Sequence, residues 1–386
     1  MDRVPKRQNL YNLSEPNWSL EEFILKMRDI ICDEYFHPEL KDTKFKLNLS
    51  DQKSNNDFKI STTLEKDILY NIPREYQSQA YCILIDDNGV SLISWTKTGM
   101  YYAFLTLSQM ILTSKEIGKL EEIKEIYIPI CRIYDYPDYE FRGFEDDISR
   151  GQRPTMDEFK RFIKILSLLK MNIEGLYIED IFRFEKYPQI GEGRGTLTKE
   201  DVKELQQYAR DWCVDIQPAF EMFGHMDNIL TMKEFEHLGE FPGSQCLDIT
   251  SDESHKFAED LIREICEAFD SKLIHLICDE SFDSGIGKSY EYQKKYGKAK
   301  TINDWFKFLV DTVKKYGKTT TGFAHDAFIH YPKLMKLARD YVKLILYWSY
   351  SDSKKYSKIS KLVKNGFDVG IVCTTFDWSR HYPFIE

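Results

Sequence analysis

The chain has 386 residues, a net charge of −10, a hydrophobic fraction of 42% and an aromatic fraction of 14%, which together exclude a disordered chain. The acidic balance argues against nucleic acid or an anionic membrane as a partner, because polyanions bind basic surfaces. No apolar run approaches the ~18 residues of a membrane span, and the amino-terminal sequence shows no apolar signal segment. The eight cysteines are scattered without metal-type spacing, so we expect a cytoplasmic protein with reduced thiols.

Residues 1–137 are predicted to form a small α+β domain. Apolar residues at helical spacing favour a helix over 20–35. Two strand-like runs between 79 and 95 flank an Asp-Asn-Gly turn at 87–89, which indicates a hairpin. A second helix with an apolar face is predicted over 98–111. We expect this domain to act as a scaffold for the remainder of the chain.

Residues 138–386 alternate strand-like runs with amphipathic helices. Threonine-led capping motifs at 155–158, 198–201, 250–253 and 301–304 precede helices. Repeated strand, loop and capped helix predicts a parallel α/β fold, and seven successive units favour a (β/α)8 TIM-type barrel. The predicted strands cover 141–148, 172–179, 214–220, 273–278, 319–323, 342–348 and 369–374. Because the sequence stops just past the seventh strand, we expect the barrel to be C-terminally incomplete.

The predicted strands end in polar and aromatic residues, which in a barrel face one pocket. The most unusual end is a buried apolar run followed by two adjacent carboxylates, Asp279 and Glu280. Alone, such a pair is also explained by a helix-capping acid beside an incidental neighbour. Together, the strand ends predict a polar cup with aromatic walls, which suits a sugar ring. The other members of this set are Arg142, Asp146, Asp147, Arg150, Glu179, Asp180, Glu221, His225, His325, Asp326, Tyr347, Trp348, Tyr350, Asp377 and Trp378.

Single members of this set also have structural explanations. Arg142 lies in an apolar run, where a buried arginine usually pairs with an acid such as Asp147 or Asp180. His225 comes after a glycine in a loop and would be held there by hydrogen bonds, and the tryptophans would belong to the barrel core.

A metal-dependent barrel hydrolase is an alternative interpretation. Its ligands would come from His225, Asp279, Glu280, His325 and Asp326. No His-x-His pair lies on one predicted strand, and adjacent Asp and Glu residues chelate poorly. We therefore expect no metal ion and no cofactor.

Four motifs occur in the order in which they are found in the glycoside hydrolase family 20 β-N-acetylhexosaminidases. They are Arg142-Gly-Phe-Glu-Asp-Asp-Ile-Ser-Arg150, Lys170-Met-Asn-Ile, Phe223-Gly-His-Met226 and His275-Leu-Ile-Cys-Asp-Glu280. With the stretch Glu234-Phe-Glu-His-Leu238, they most resemble the cytosolic hexosaminidase D type branch. Residues 80–110 resemble the α+β domain that precedes the barrel in this family, so the resemblance spans nearly the whole chain.

The resemblance implies an exo-acting, retaining hydrolase of terminal 2-acetamido-2-deoxy-β-hexosides (GlcNAc or GalNAc). In this mechanism the acetamido oxygen of the substrate attacks the anomeric carbon and forms an oxazolinium. Glu280 would be the acid/base, and Asp279 would hold the acetamido group. The expected partner is a small glycan or glycoconjugate that carries such a sugar. The residues implied to bind or support it are Arg142, Asp180, His225, Asp326, Trp348, Trp378 and Tyr382.

The sequence departs from the family pattern in three places. The family's strand-7 tyrosine, which holds the acetamido oxygen, has no clear match, and Tyr382 is the candidate for it. The usual His-x-x-x-Asp-Asp stretch is replaced by Gly175-Leu-Tyr-Ile-Glu-Asp180, which lacks the histidine. The tryptophan and acid of an eighth strand have no counterpart before Glu386. A non-catalytic barrel that binds an amino sugar is therefore the alternative function.

Overall fold

The computed structural model describes residues 16, 22, 59–64, 72–73, 75–86, 89–112, 128–349 and 357–373. Apart from residue 22, the helix predicted at 20–35 lies outside these ranges, and so do Trp378 and Tyr382. No helix in the described ranges is both long enough and apolar enough to cross a bilayer.

The amino-terminal part contains a small four-stranded sheet. Its strands are β1 (Lys59–Leu64), β2 (Tyr81–Asp86), β3 (Gly89–Ser94) and β4 (Cys131–Asp135), in the order β1-β3-β2-β4. The antiparallel pair of β2 and β3 is the predicted hairpin, and helix α1 (Lys97–Leu112) is the predicted second helix. The sequence predicted neither β1, which pairs in parallel with β3, nor β4, which pairs with β2 in a segment expected to be a crossing between domains.

The second part is a parallel sheet of seven strands that lie side by side in sequence order, with β5 and β11 at its edges within the described residues. This arrangement confirms the predicted TIM-type fold. The strands are β5 (Gly143–Asp147), β6 (Ile173–Ile178), β7 (Asp215–Phe220), β8 (Leu273–His275), β9 (Thr320–Ala324), β10 (Leu344–Ser349) and β11 (Asp368–Cys373).

Helices connect the strands, as expected for parallel neighbours. The longer ones are α2 (Met156–Leu168), α3 (Lys199–Asp211), α5 (Asp252–Ala268) and α7 (Lys298–Lys315). Shorter ones are α4 (Asp227–Leu230), α6 (Tyr290–Tyr296), α8 (Asp326–His330), α9 (Pro332–Ala338) and α10 (Ser357–Lys364).

Two of the four predicted helix caps are confirmed. Thr155 accepts a hydrogen bond from the Glu158 amide, and Thr198 forms a reciprocal capping box with Asp201. The other two predictions were wrong. Ser251 caps α5, because the neighbouring Thr250 hydroxyl donates to Asp248 instead. Thr301 lies inside the first turn of α7 and donates to the Gly297 carbonyl.

The two sheets share one continuous hydrophobic core that includes the apolar faces of α1 and of the barrel helices. The Tyr101 hydroxyl of α1, for example, lies 2.6 Å from the Ser167 hydroxyl of α2. The chain passes from the first sheet to the second between Asp135 and Gly143. The amino-terminal sheet therefore supports the barrel at the end where β5 begins.

Candidate active site

A cavity of about 830 Å³ opens where the barrel strands end at their carboxyl termini. Parallel strands place these ends on one face, so loops distant in sequence meet there. The lining residues come from the segments after β5, β6, β7 and β8. They are Ser149, Arg150, Gly151, Glu179, Arg194, His225, Asp227, Asn228, Gly243, Gln245 and Asp283.

His225 lies between three carboxylates at this cavity. Its Nδ1 is 3.9 Å from Glu179 Oε1, and its Nε2 is 3.5 Å from Asp279 Oδ1 and 3.4 Å from Glu280 Oε2. The residue before it has to be glycine, because a Cβ on Gly224 would lie 2.0 Å from the Asp279 carbonyl oxygen. The close approach of these two loops brings the predicted residues His225, Asp279 and Glu280 together.

The two adjacent acids differ in exposure. The side chain of Asp279 is 12% exposed, whereas that of Glu280 is 37% exposed. The backbone leaves the strand geometry early, with φ of 49° at Ile277, 60° at Cys278 and 44° at Glu280, so β8 ends sooner than predicted. Positive φ in such residues is uncommon and marks a backbone held by its surroundings. The turn directs one carboxylate into the barrel and leaves the other accessible for proton exchange.

Arg150 and Glu179 form an ion pair at the cavity wall. The Glu179 carboxylate also accepts hydrogen bonds from the Tyr177 hydroxyl (3.1 Å) and from Asn228 Nδ2 (3.0 Å), while the Arg150 guanidinium lies 5.1 Å from the Tyr177 ring centroid. Burial raises the pKa of Glu179, and the charges of Arg150 and His225 oppose that rise. Arg150 and Glu179 belong to the predicted set of strand-end residues, but neither was among the residues expected to bind or support the sugar. Their positions just after β5 and β6 were the available signal.

Asp180 lies directly behind the cavity wall. It is 1% exposed, and its Oδ2 is 2.6 Å from Arg194 Nε. Burial raises the pKa of Asp180, and Arg194 opposes the rise. A Cβ on Gly191 would lie 2.1 Å from the Asp180 carbonyl oxygen, so the loop carrying Arg194 needs glycine there. Asp180 therefore anchors a cavity-lining loop.

Asp326 and Trp348 support the acidic pair from the strands on its other side. Asp326 Oδ2 accepts a 2.8 Å hydrogen bond from the Glu280 amide, and burial, with Asp279 nearby, raises the pKa of Asp326 to about 7. Trp348 packs edge-on against His325 at 5.2 Å and belongs to a small apolar cluster with Ile277. Burial lowers the pKa of His325 to about 4, so this histidine is neutral at physiological pH.

The sequence similarity agrees with this geometry. Residues 139–378 match the family model for the glycosyl hydrolase family 20 catalytic domain. The chain belongs to glycoside hydrolase family 20. The family part of the predicted resemblance is thereby confirmed.

Curated relatives include hexosaminidases of low identity. A beta-hexosaminidase of Porphyromonas gingivalis is 26% identical over 231 residues, which cover 53% of this chain and 29% of that protein. A lacto-N-biosidase of Bifidobacterium bifidum is 25% identical over 317 residues (79% and 27%), and a beta-hexosaminidase A of Caenorhabditis briggsae is 25% identical over 244 residues (59% and 43%). The chain spans less than half the length of these relatives.

Solved family 20 structures share the fold. A chitobiase from Flavobacterium johnsoniae superposes with a TM-score of 0.69 at 19% identity, covering 95% of this chain and 56% of that one. A β-N-acetylhexosaminidase from Streptomyces coelicolor gives 0.66 at 19% identity, covering 90% and 69%.

The structure does not bring Arg142 to the family 20 cavity. Arg142 precedes β5 and lies at the opposite, amino-terminal end of the barrel. Its guanidinium donates to the Lys170 carbonyl at 2.6 and 2.9 Å, to the Tyr139 carbonyl at 2.6 Å and to Gln79 Oε1 at 2.8 Å. The proposed pairing with Asp147 or Asp180 is also wrong, since those acids pair with Arg150 and Arg194. Arg142 joins the two sheets instead.

The metal-dependent alternative would require several ligands to converge. Among the residues that the structure describes, no three His, Cys, Asp or Glu side chains are grouped to hold a metal ion. His225 contacts the acidic pair, whereas His325 packs against aromatic rings.

Proposed function

We propose that this chain carries the catalytic centre of an exo-acting β-N-acetylhexosaminidase that removes terminal GlcNAc or GalNAc with retention. The observation that carries the proposal is the position of His225 between Glu179 and the Asp279–Glu280 pair at the cavity. Family membership and the hexosaminidase relatives support it. A structural neighbour, an exo β-N-acetylglucosaminidase from Vibrio harveyi, was solved in complex with N-acetylglucosamine.

The adjacent acids suit substrate-assisted catalysis because each has a different task. Asp279, the more buried one, accepts the acetamido N–H and stabilises the positive charge as the acetamido oxygen attacks the anomeric carbon. Glu280, the more exposed one, gives its proton to the departing glycosidic oxygen. Water then attacks the oxazolinium and transfers a proton back to Glu280.

His225 orients the carboxyl group of Glu280. The Nε2 atom of the imidazole lies near Glu280, and its Nδ1 atom faces Glu179. A proton on Nδ1 is turned toward the Glu179 carboxylate and leaves Nε2 free to contact the acid/base Glu280. Glu179 is itself fixed by Arg150, Tyr177 and Asn228. This chain of contacts couples the cavity wall to the proton-transfer group.

The resemblance implied that Arg142 binds the sugar, and in this proposal Arg150 does so instead. Its guanidinium lines the cavity and can donate to the hydroxyl groups of a pyranose ring. Trp348, beside Ile277 in the barrel interior, forms the apolar wall for the acetamido methyl group. Asp326 holds the backbone of Glu280, and Asp180 holds the loop of Arg194.

We further propose a cytoplasmic enzyme of the hexosaminidase D type. The motifs Phe223-Gly-His225 and Cys278-Asp-Glu280 support that branch. Cys82, Cys131, Cys213, Cys246, Cys266, Cys278 and Cys373, all in the described ranges, are free thiols, which suits a reducing compartment. Fractionation of cells that express the complete reading frame tests the location.

The deciding experiment measures hydrolysis of a chromogenic 2-acetamido-2-deoxy-β-glucoside. Because the chain spans less than half of its curated relatives, the assay uses both this chain and the protein encoded by the complete reading frame. Hydrolysis that is insensitive to chelators, together with loss of hydrolysis of an unactivated disaccharide in Glu280→Gln, supports the proposal. Tight binding of a thiazoline mimic of the oxazolinium without hydrolysis by either protein would favour the sugar-binding alternative.

A further inference from the structure

Phe282 lies at the rim of the cavity, two residues after Glu280. Its backbone amide donates a 2.7 Å hydrogen bond to the Glu280 carbonyl oxygen, which closes a three-residue turn. The same oxygen accepts a 3.1 Å hydrogen bond from Nε2 of Gln245, a residue that lines the cavity. Because one oxygen binds both donors, the Phe282 backbone lies beside the Gln245 side chain.

Asp283 fixes the other side of Phe282. This residue lines the cavity, and its Oδ2 accepts hydrogen bonds from Ser244 Oγ at 2.9 Å and from the Gln245 amide at 3.0 Å. Phe282 is therefore held between two residues that are both tied to the cavity wall. The phenyl ring itself stays 60% exposed.

The loop that carries Phe282 buries polar side chains and exposes apolar and aromatic ones. The buried members are Ser281, Ser284 and Ser289, and the exposed ones are Phe282 (60%), Ile286 (67%) and Tyr290 (49%). A single exposed apolar residue is ordinary. A loop with the reverse of the usual arrangement, next to a cavity, indicates a surface that binds a ligand.

Glu240 holds this loop in one conformation. It is 1% exposed, and its carboxylate accepts hydrogen bonds from the Gly285 amide at 3.2 Å, from the Ser289 amide at 3.1 Å and from the Ser289 hydroxyl. A Cβ on Gly287 would lie 2.2 Å from the Glu240 carbonyl oxygen, so the two segments pack closely. A ligand that binds Phe282 therefore does not have to order the loop first.

The position of Phe282 relative to Glu280 identifies the part of a substrate that it can contact. In the proposed function Glu280 protonates the departing oxygen, so the departing group, the aglycone, lies next to the Glu280 carboxyl group. That side chain is 37% exposed, so this side of the site opens outward. Trp348 instead packs against His325 in the barrel interior, on the side of the acetamido group.

We propose that Phe282 binds the aglycone and that this aglycone is itself a sugar ring. The inference rests on the proposed function and adds a substrate class to it, namely β-linked oligosaccharides that end in a 2-acetamido sugar. The C–H face of a pyranose packs on a phenyl ring, while its hydroxyl groups need polar partners. The Asp283 carboxylate, next in the chain and at the cavity wall, is an acceptor for such a hydroxyl group.

Substitutions of Phe282 should separate a disaccharide from a glycoside with a minimal aglycone. Phe282→Ala should lower kcat/KM for the β-linked disaccharide of two GlcNAc residues about 5- to 20-fold, because the packing on the ring is lost. The methyl β-glycoside of GlcNAc and the thiazoline mimic do not reach the ring, so both should stay within about twofold of wild type. Phe282→Tyr retains the ring and should retain disaccharide hydrolysis. The matched control is Tyr139→Ala, which removes a 73% exposed ring at the opposite end of the barrel.

A second measurement uses transfer to an added sugar. The oxazolinium reacts either with water or with a hydroxyl group of an acceptor sugar that occupies the place of the aglycone. In the transfer, the acceptor oxygen bonds to the anomeric carbon, the bond from that carbon to the acetamido oxygen breaks, and the hydroxyl proton passes to Glu280. With an aryl glycoside as donor and methyl β-GlcNAc as acceptor, Phe282→Ala should lower the ratio of transfer to hydrolysis about 5- to 20-fold. This ratio does not depend on how much of the variant is folded.

The outcomes distinguish this inference from the proposed function. If neither this chain nor the complete protein hydrolyses any of these glycosides, the proposed function and the inference fail together. If the wild type is active and Phe282→Ala leaves both the disaccharide kcat/KM and the transfer ratio unchanged, only the inference is overturned. An equal loss on the methyl glycoside, or an equal loss in Phe282→Tyr, would also overturn it.

Discussion

Arg142 and Arg150 lie at opposite ends of β5, and their surroundings differ. Arg142, at the amino-terminal end, directs its guanidinium to the carbonyl oxygens of Lys170 and Tyr139 and to a glutamine amide. Arg150, at the carboxyl-terminal end, pairs with the carboxylate of Glu179 and lines the cavity. The first arginine satisfies backbone oxygens at the junction of the two sheets, which is a structural task. The second is positioned for a ligand.

The same contrast holds for acids on β6 and the segment after it. Glu174 is buried on the strand with no donor to either carboxyl oxygen in the described ranges, whereas Glu179, just past the strand, accepts from three neighbours. Polar groups at the carboxyl-terminal end of the barrel are connected to one another. Substitutions at the two ends should therefore affect different measurements.

The largest effect is expected for Glu280→Gln. An amide cannot supply a proton to the leaving group, so kcat toward unactivated disaccharides should fall about 10²- to 10⁴-fold. Activated aryl glycosides need less protonation and should lose far less. Steady-state kinetics on both substrates measures the difference. The matched control, Glu291→Gln, changes an acid whose side chain is 80% exposed and should behave as wild type. Equal losses on both substrates would contradict the acid/base role.

Arg150→Met should mainly reduce activity. It removes the cation that pairs with Glu179 and the guanidinium that lines the cavity. Loss of charged hydrogen bonds to substrate predicts a 10- to 100-fold lower kcat/KM, with about 1.5–3 kcal/mol lost from transition-state binding. The Arg150 side chain is 30% exposed, so the free energy of unfolding should change by less than about 1 kcal/mol. Reduced stability with full activity would show that Arg150, like Arg142, has a structural role.

Arg142→Met should show the converse behaviour. The substitution leaves the Lys170 and Tyr139 carbonyls without their guanidinium donor at the junction of the two sheets. We expect the free energy of unfolding to fall by about 2–3 kcal/mol, measured by urea denaturation, with kcat/KM unchanged well below the melting temperature. Arg142→Lys, which retains the charge and part of the bonding, should be intermediate. A large loss of kcat/KM without loss of stability would show that Arg142 acts in the active site.

The sequence predicted the strands and the general location of the site better than it predicted individual contacts. Seven strands and two helix caps are predictable from local patterns, because apolar runs and Thr-led motifs act through near neighbours. β1 escaped prediction because its sequence, Lys-Ile-Ser-Thr-Thr-Leu, is mostly polar. The expected cap at Thr250 failed because its hydroxyl donates to Asp248 instead, and the one at Thr301 failed because the helix already begins at Lys298.

The sequence alone did not decide which arginine, Arg142 or Arg150, faces the cavity. Both arginines belong to one motif, but only the direction of the strand decides which of them faces the cavity. Glu179 was visible as an acid after a predicted strand, yet its contacts with Arg150, Tyr177 and Asn228 depend on how neighbouring strand ends approach each other. Such contacts arise from tertiary packing and carry no local signal.

Glu174→Gln should give the smallest effect and the most specific one. Burial, with Asp146 nearby, raises the pKa of Glu174 to about 8, above its unfolded value of about 4.3. The stability contribution of the protonated form is therefore complete below about pH 4 and is lost as the pH rises through about 8. Glutamine stays neutral, so the variant should exceed wild type by roughly 1 kcal/mol or more at about pH 9, and the two should converge near pH 5. Urea denaturation across this range measures the difference, with the exposed acid Glu158→Gln as the matched control. Parallel pH profiles of wild type, Glu174→Gln and Glu158→Gln would show that Glu174 is not a buried neutral acid. The contrast between β6 and the connected polar groups after it would then fail.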